Sequence, residues 1–287
     1  MIVFEYILLF YYLLHPKAIF VRWTSHAMGD NLLLTVILPE LRNKHPKSKI
    51  IVETKFPEFF IDNPNVDWIT NRHFKTTKKF IKPKYKIIAE TSKSIYEQML
   101  SYISDKKEGF PKIYLTEAEI AKHKENFEYF AIAPLGKQAF SANRKEWGFE
   151  KFQNLVNLIN EKTNAKIIQI GSKSDELLQS VIDKRGFPIR ESAAIIKNSI
   201  AFIGLEGGLM HLAKSVEKDS VIIYGGFINP EISKYQNNIN VINLVECSPC
   251  FTSEKPHTIC ETMLCMKGIL PESVFDKIEE KYYKGKF

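Results

Sequence analysis

The sequence has no long hydrophobic run, no internal repeat and no low-complexity tract. Its most apolar stretch, Met1–Leu14, is shorter than the roughly 20 residues that a membrane-spanning helix needs. This stretch also has no basic start and no small-residue cleavage site, which argues against a secretory signal peptide. We therefore expect a cytoplasmic globular protein in which Met1–Leu14 is either an additional buried element or a segment that lies in a membrane interface.

Cysteine is scarce, and its distribution is uneven. All four cysteines lie in one C-terminal stretch, as Cys247, Cys250, Cys260 and Cys265. Disulfide bonds are not expected in a cytoplasmic protein, so the simplest interpretation is four reduced thiols. The alternative is a closed metal site with four thiolate ligands, because clustered cysteines are typical of such sites.

Acidic residues are few in one segment of the chain. Between residues 42 and 86, twelve Lys and Arg outnumber four Asp and Glu, in a chain whose net charge is +7. The simplest interpretation is a solvated basic face, and the functional alternative is a surface for anionic glycolipid or membrane headgroups. No helix-turn-helix, zinc-finger or RNA-binding pattern accompanies the charge, so we do not expect nucleic acid as a partner.

Short apolar runs alternate with helix-like stretches along the chain, which is typical of β-α-β units on a parallel sheet. Helices are predicted over about 31–44, 117–127, 149–162 and 271–283. Strands are predicted over about 17–23, 48–54, 66–70, 85–89, 129–133, 166–170, 200–203 and 221–224. The sequence therefore predicts an α/β fold.

The length of the chain, 287 residues, exceeds what one hydrophobic core usually serves, so two domains are expected. The composition changes around residues 106–112, ahead of a charged helix. We place the boundary after residue 116, which gives an N-terminal domain over 1–116 and a C-terminal domain over 117–287. Doubly wound domains bind ligands at the carboxyl ends of their strands, so the loops there are the candidate functional sites.

The glycine-rich segment Gly204–Ala213 follows an apolar strand and opens a predicted helix. Small residues in such a turn let the backbone approach a ligand, and the N–H groups at a helix start suit a phosphate. The backbone of Gly207, Gly208 and Leu209 would supply these groups, and His211 would reach the same anion. This pattern indicates a nucleotide diphosphate ligand, although a single histidine is also compatible with a structural role.

Four motifs follow one another along the chain. The first combines Met28–Leu33 with Pro39–Arg42 and His45–Pro46, and the second combines Ile132–Pro134 with Lys145–Trp147. The third is the glycine-rich segment, and the fourth is the cysteine-bearing C-terminal end. In content and order they resemble the motifs of the bacterial heptosyltransferases, glycosyltransferase family 9, over nearly the whole chain.

This resemblance implies the GT-B fold: two Rossmann-like, doubly wound domains that face each other across a cleft, with the C-terminal helix packing back on the N-terminal domain. It also implies inverting transfer of heptose from ADP-heptose to a lipopolysaccharide or other surface-glycan acceptor at the inner membrane, with no cofactor for the chemistry. A protein-modifying heptosyltransferase and a non-catalytic nucleotide-binding scaffold are the alternatives. Some family members hold iron or zinc on a cysteine loop, so a structural metal at the four cysteines stays open.

The resemblance also implies residue roles. Asp30 corresponds to the general base that deprotonates the acceptor hydroxyl, and Lys145 to a ligand of the departing diphosphate. By residue type alone, Asp30 would be a helix cap and Lys145 an exposed cation. Glu206 stands where the family has aspartate, and the added methylene moves the carboxylate by about 1 Å, which bears on donor specificity. Independently of the resemblance, Glu176 or Asp175 follows a predicted strand and would accept hydrogen bonds from ribose hydroxyls, as in dinucleotide-binding folds, or else lie at the cap and first turn of a helix.

Overall fold

The computed structural model describes residues 7, 10–22, 25, 27–71, 79–136, 141–252 and 259–284. Its internal contacts divide the chain into two compact units. Unit 1 comprises Met1–Lys86 and Lys93–Tyr114, and unit 2 comprises Ile87–Ser92 and Leu115–Phe287. Each unit is built on a parallel sheet, which confirms the predicted α/β class.

In the described part of unit 1, four parallel strands form a sheet in the order β3-β2-β1-β4. They are β1 (Ala18–Arg22), β2 (Lys49–Glu53), β3 (Trp68–Thr70) and β4 (Lys79–Ile81). All of β1 is buried, as is usual for a parallel strand that is covered on both faces. The strand order reverses between β1 and β4, and doubly wound sheets bind ligands outside the strand ends at such a point.

The predicted helix over 31–44 is present but begins earlier and is not uniform. It consists of α1 (Met28–Leu33), a 3₁₀ turn (Leu34–Ile37) and α2 (Leu38–Lys44). A further helix, α3 (Ile95–Leu100), begins at Ser94, whose side chain accepts a hydrogen bond from the backbone of the third helical residue. All three helices pack against the 3₁₀ turn at Leu34–Ile37, whose four residues are buried.

The strand predicted over 85–89 is wrong. The nearest strand is β4, which ends at Ile81, and residues 82–87 have no regular structure. Pro83 offers no backbone N–H to a sheet ladder, and β4 ends two residues before it. The backbone of Lys86 is instead bonded to the side chain of Gln98.

In the described part of unit 2, six parallel strands form a sheet in the order β10-β9-β8-β5-β6-β7. They are β5 (Tyr129–Ala133), β6 (Lys166–Gln169), β7 (Ile182–Asp183), β8 (Phe202–Leu205), β9 (Ser220–Tyr224) and β10 (Ile239–Ile242). The central strands β5, β8 and β9 are fully buried and apolar. The predicted strands of the C-terminal half are therefore confirmed.

The helices of unit 2 are α4 (Glu117–Lys122), α5 (Phe149–Lys162), α6 (Ile189–Asn198), α7 (Gly208–Ser215), α8 (Leu264–Lys267) and α9 (Pro271–Tyr282). The last helix was expected to pack on the N-terminal domain, but its apolar face lies in the core of unit 2. Val274, Phe275 and Ile278 are buried there because this face of α9 packs against the apolar face of α5. No helix within the described residues is long and apolar enough to cross a membrane.

Candidate active site

The glycine-rich turn of unit 2 has the backbone geometry that the sequence predicts. Gly207 is the N-cap of α7 with a φ of 153°, a conformation that side-chain-bearing residues rarely adopt. A Cβ added there would meet nothing within 4 Å, so the requirement for glycine is conformational. No side chain caps this helix start, and its first backbone N–H groups have no partner within the helix. The turn therefore presents donors suited to an anion.

Lys145 lies beside this turn as the partner of Glu206. The Lys145 ammonium donates a hydrogen bond to Glu206 Oε2, and the two side chains are only 17% and 9% exposed. The ammonium also lies 5.0 Å from the centroid of the Phe227 ring. The sequence named both charged residues but not their pairing. A partly buried cation is thus held by a carboxylate next to the uncapped start of α7.

The segment that carries Lys145 is fixed on both sides by neighbouring loops. The Asn143 amide donates to the carbonyl of Cys260 at 2.8 Å and accepts from its N–H at 2.9 Å. The buried indole N–H of Trp147 donates to the carbonyl of Ile269 at 2.9 Å. The cysteine-bearing end of the chain therefore positions Lys145.

His211 is placed in α7, one turn from the glycines, but it is only 5% exposed. Its Nδ1 lies 2.8 Å from the Tyr235 hydroxyl, and the two rings are perpendicular. This is the structural contact that a buried histidine usually makes. A contact with a phosphate would therefore have to use Nε2.

Glu176 follows β6, but it does not lie in a helix. Residues 171–181 form turns and irregular structure, so the alternative role of Glu176 in a first helical turn is wrong. The neighbouring Asp175 accepts a hydrogen bond from the N–H of Ser172 at 2.8 Å, and Gln169 binds the carbonyl of Glu176 at 2.7 Å. These bonds shape the loop and leave the Glu176 side chain exposed.

All four cysteines line one cavity of about 30 Å³, together with Arg144. Their thiols form no disulfide. Burial raises the pKa of the Cys250 thiol. Burial also acts to raise the pKa of Cys260, but hydrogen bonds, chiefly from the Met263 N–H, outweigh it and lower that pKa.

The sequence left open whether the four cysteines hold a metal ion. Within the described residues, no group of three or more His, Cys, Asp or Glu side chains is arranged so that it could hold a metal ion. The four cysteines nevertheless line one cavity, and the Arg144 guanidinium beside them would offset thiolate charge. Four thiols are a donor set that suits zinc or iron.

Asp30 lies in unit 1, in the first turn of α1, and it does not cap the helix. The N-cap is Ala27, which has no side-chain cap bond, so the capping role considered for Asp30 is wrong. The helix start is fixed by the buried Asn31, which donates to the Ser25 and Ala27 carbonyls at 3.0 and 2.9 Å. A carboxylate in the first turn is favoured by the helix dipole.

The Tyr85 hydroxyl donates a hydrogen bond to Asp30 Oδ1. Sequence reasoning missed Tyr85 because its segment was taken for a strand. A signal was available: Tyr85 follows β4 and Asp30 follows β1, and these strands are neighbours at the point where the order reverses. Residues after the carboxyl ends of adjacent parallel strands meet at one edge of the sheet.

The model of the family described as glycosyltransferase family 9 (heptosyltransferase) matches residues 71–259, more than half of the chain. The chain belongs to glycosyltransferase family 9. It is therefore a glycosyltransferase, as the motifs predicted. No curated protein matches it significantly in sequence.

Several solved glycosyltransferase structures share the fold of this chain. A family 9 glycosyltransferase from Veillonella parvula DSM 2008 has 17% identity and a TM-score of 0.71, over 93% of this chain and 97% of that chain. Iron-containing dodecameric TibC from enterotoxigenic E. coli H10407 has 13% identity and a TM-score of 0.73, over 92% and 76%. E. coli ADP-heptose LPS heptosyltransferase II has 13% identity and a TM-score of 0.68, over 92% and 98%.

Within unit 2 of this family 9 transferase, the structure brings together Lys145, Glu206 and the turn at Gly207–Gly208. His211 lies on the same helix with its ring buried. Glu176 is exposed in the loop after β6. The residue that the sequence did not single out is Tyr85, the partner of Asp30 in unit 1.

Proposed function

We propose that this family 9 transferase moves heptose, or a closely related sugar, from ADP-heptose to an anionic surface glycan such as lipopolysaccharide. The observation that carries the proposal is the Lys145–Glu206 pair beside the uncapped start of α7, where a diphosphate would find a cation and N–H donors. The relatives add support, because TibC has been solved with ADP-D-β-D-heptose and E. coli WaaC with ADP.

The proposed chemistry needs a base for the acceptor and positive charge for the leaving group. Asp30 accepts the hydroxyl proton as the acceptor oxygen bonds to the anomeric carbon, opposite the diphosphate. The bond between that carbon and the diphosphate oxygen breaks, and the electron pair leaves with ADP. Lys145, the backbone N–H groups of Gly207–Leu209 and His211 Nε2 stabilise the departing charge. The configuration at the anomeric carbon is inverted.

Two carboxylates in unit 2 complete the proposed donor site. Glu206 orients Lys145, because its carboxylate holds the ammonium in place while no diphosphate is bound. Glu176, exposed after β6, accepts hydrogen bonds from the ribose hydroxyls, since the strand ends of a doubly wound sheet commonly bind ribose there.

We also propose a structural iron or zinc ion on Cys247, Cys250, Cys260 and Cys265. The shared cavity and the adjacent Arg144 support this assignment. When bound, the ion would cross-link the loop and take no part in the transfer. Its effect would reach the active site through Cys260, which is bonded to Asn143 in the segment of Lys145.

The N-terminal segment supports peripheral binding at the cytoplasmic face of the inner membrane. Ile7, Phe10, Tyr11 and Leu14 are 51–65% exposed, and they recur at the i, i+3, i+4, i+7 spacing of one helix face. An apolar and aromatic helix face of this kind lies in a lipid interface when basic residues accompany it. Co-sedimentation with anionic vesicles, lost in Phe10→Ser/Leu14→Ser, tests this part of the proposal.

The experiment that tests the function is mass-resolved product formation from ADP-heptose and a core oligosaccharide, with calorimetric titration of ADP, GDP and UDP. The proposal predicts preferential binding of ADP and an acceptor heavier by one heptose. Preference for GDP or UDP would assign a different donor. Tight ADP binding with no transfer to glycan or protein acceptors would favour a nucleotide-binding scaffold.

A further inference from the structure

His211 and Tyr235 form a buried pair of side chains in unit 2. Nδ1 of His211 lies 2.8 Å from the Tyr235 hydroxyl, and the two residues are only 5% and 1% exposed. Their ring planes are perpendicular, with the centroids 5.8 Å apart. A hydrogen bond that is shielded from water in this way is electrostatically stronger than one at the surface. The bond is therefore able to control the state of the imidazole ring.

The chain segment that joins β9 to β10 holds Tyr235 in a fixed position. It contains a 3₁₀ turn at Pro230–Ile232, which the Asn229 side chain caps by accepting a hydrogen bond from the N–H of Glu231 at 3.1 Å. The carbonyl of Tyr235 itself accepts a hydrogen bond from the side chain of Asn240, in β10, at 2.9 Å. The backbone of the tyrosine is thus tied to the sheet, so its hydroxyl is presented from a defined place.

Helix α7 contacts the ring of Tyr235 at a second residue. The Lys214 ammonium, three positions after His211 on α7, lies 5.5 Å from the centroid of the Tyr235 ring. Residues three apart share a helix face, and a cation at this distance is attracted by the face of an aromatic ring. Two residues of one helix face therefore hold the tyrosine against α7.

The hydrogen bond determines which nitrogen of His211 carries the proton. A neutral imidazole has one N–H, and its other nitrogen accepts a hydrogen bond more strongly than a phenol oxygen does. The Tyr235 hydroxyl therefore donates to Nδ1, and the ring proton lies on Nε2. In this tautomer His211 has a donor at Nε2 without carrying a charge.

The place of His211 in the helix directs its ring towards the glycine-rich turn. The N–H of His211 makes the first bond of α7, to the carbonyl of Gly207 at 3.3 Å. Side chains on a helix lean towards its N-terminus, over the preceding turn. An Nε2–H donor on this side chain thus adds to the backbone N–H groups that suit a diphosphate.

We propose that Tyr235 is a positioning residue of the donor site: it donates to Nδ1 and so keeps the proton of His211 on Nε2, from which a neutral histidine donates to the diphosphate. This inference rests on the proposed function, because it needs a nucleoside diphosphate at the glycine-rich turn. Without the tyrosine hydroxyl, the ring is free to take the tautomer whose Nε2 is a bare acceptor, and such a nitrogen repels a phosphate oxygen. The identity of the base and of the sugar does not enter.

The first measurement determines the tautomer in the nucleotide-free protein. Long-range ¹H–¹⁵N NMR of the full chain, labelled at its seven histidines, distinguishes a bare ring nitrogen from one that carries a proton. The signals of His211 are those that disappear in His211→Gln. We expect a bare Nδ1 and a protonated Nε2 at neutral pH. A proton on Nδ1, in a neutral or a charged ring, would overturn the proposal.

The second measurement uses Tyr235→Phe, which removes the hydroxyl and keeps the ring. Its matched control is Tyr224→Phe, which removes another buried hydroxyl that contacts α7, at Met210 Sδ instead of His211. We expect Tyr235→Phe to lose the tautomer preference and to bind a nucleoside diphosphate about fivefold more weakly, because binding must then select the donor tautomer. The control should keep the native tautomer and affinity. Native tautomer and affinity in Tyr235→Phe would contradict the proposed role.

A double-mutant cycle separates positioning from a general loss of structure. The amide of His211→Gln has no tautomer to select, so adding Tyr235→Phe to it should cause no further loss of affinity. Additive losses would show that Tyr235 acts on the fold, and the proposal would be wrong.

Calorimetry of the native protein with ADP, GDP and UDP distinguishes this inference from the proposed function. If none of the three binds, the proposed function fails, and the role of Tyr235 fails with it. If one of them binds but Tyr235→Phe has no effect on its affinity, the inference alone is overturned and the proposed function stands.

Discussion

The hydroxyl of Tyr85 donates a hydrogen bond to Oδ1 of Asp30, although the two residues are 55 positions apart in the chain. Tyr85 thereby holds the carboxylate that we propose as the general base. It does not need to touch the reacting atoms to do so. Its expected role is that of a positioning residue.

Tyr85→Phe removes this hydrogen bond and keeps the ring. Hydrogen bonds to charged groups contribute about 1.5–3 kcal/mol, so we expect kcat to fall by at least tenfold with little change in the KM for the donor. Steady-state kinetics on both substrates check this separation. Tyr114→Phe, which changes another tyrosine of unit 1, serves as the control. A Tyr85→Phe enzyme with native kcat would show that the bond does not position the base.

Lys145→Met removes the cation beside the glycine-rich turn. We expect ADP to bind about tenfold more weakly, because a partly buried ammonium interacts strongly with a diphosphate. Calorimetric titration measures the change. The control is Lys166→Met, which removes an exposed lysine at the start of β6 and therefore changes the net charge by the same amount as Lys145→Met. Equal ADP affinity in the two variants would exclude Lys145 from the diphosphate site.

Glu206→Gln is expected to have the opposite effect on binding. The substitution removes a negative charge that lies against the Lys145 ammonium, so ADP should bind more tightly. Turnover should fall, since the ammonium loses the partner that orients it. The measurement is the ADP dissociation constant together with kcat. Weaker ADP binding in this variant would mean that Glu206 contacts the donor directly.

We expect that a variant which loses the metal ion from the four cysteines also binds the donor more weakly. We expect about one iron or zinc ion per chain in the purified protein, by elemental analysis, and loss of that ion in Cys247→Ser/Cys250→Ser. The KM for the donor should rise in this variant, because the loop is bonded to the Lys145 segment through Asn143. If the native protein contains no stoichiometric metal, the proposed metal site is wrong.

The Glu119–Arg190 ion pair gives a prediction on stability. Arg190 donates to both carboxylate oxygens, at 2.6 and 2.7 Å, and lowers the pKa of Glu119 to about 2 against desolvation. A lowered carboxyl pKa stabilises the folded state above the unfolded value of 4.5, and this stabilisation is lost as the pH falls from about 4.5 towards 2.

Glu119→Gln should therefore destabilise the protein at pH 7 by about 1 kcal/mol, since the carboxylate is about one third exposed. The difference from the native protein should shrink as the pH falls below 4.5. Urea unfolding at pH 7 and at pH 3.5 checks both statements. A difference that does not shrink as the pH falls would mean that the charge of Glu119 contributes no net stabilisation.

Local patterns predicted much of the fold. The strand at Tyr129–Ala133 and the helix at Phe149–Lys162 agree with the sequence expectation residue for residue. The strand is a short apolar run, and the helix has apolar residues at helical spacing. Both patterns can be recognised in the sequence alone. The glycine-rich turn was predictable for the same reason, because its conformation depends on glycine at Gly207.

The features that the sequence did not reveal depend on pairs of distant residues. Lys145 and Glu206 were both named, yet their pairing joins positions 61 apart. The bond from Tyr85 to Asp30 required β1 and β4 to be neighbours, and the run after β4 had been assigned to a strand. Strand order is a tertiary property, so no local pattern reports which loops meet.

The most direct test of the account is the turnover of Asp30→Asn at saturating ADP-heptose and acceptor. The substitution keeps the size of the side chain and removes its ability to accept a proton. The account predicts native ADP affinity and a loss of kcat of at least a hundredfold, the usual contribution of a general base. Full turnover in Asp30→Asn would contradict the assignment of Asp30 as the base.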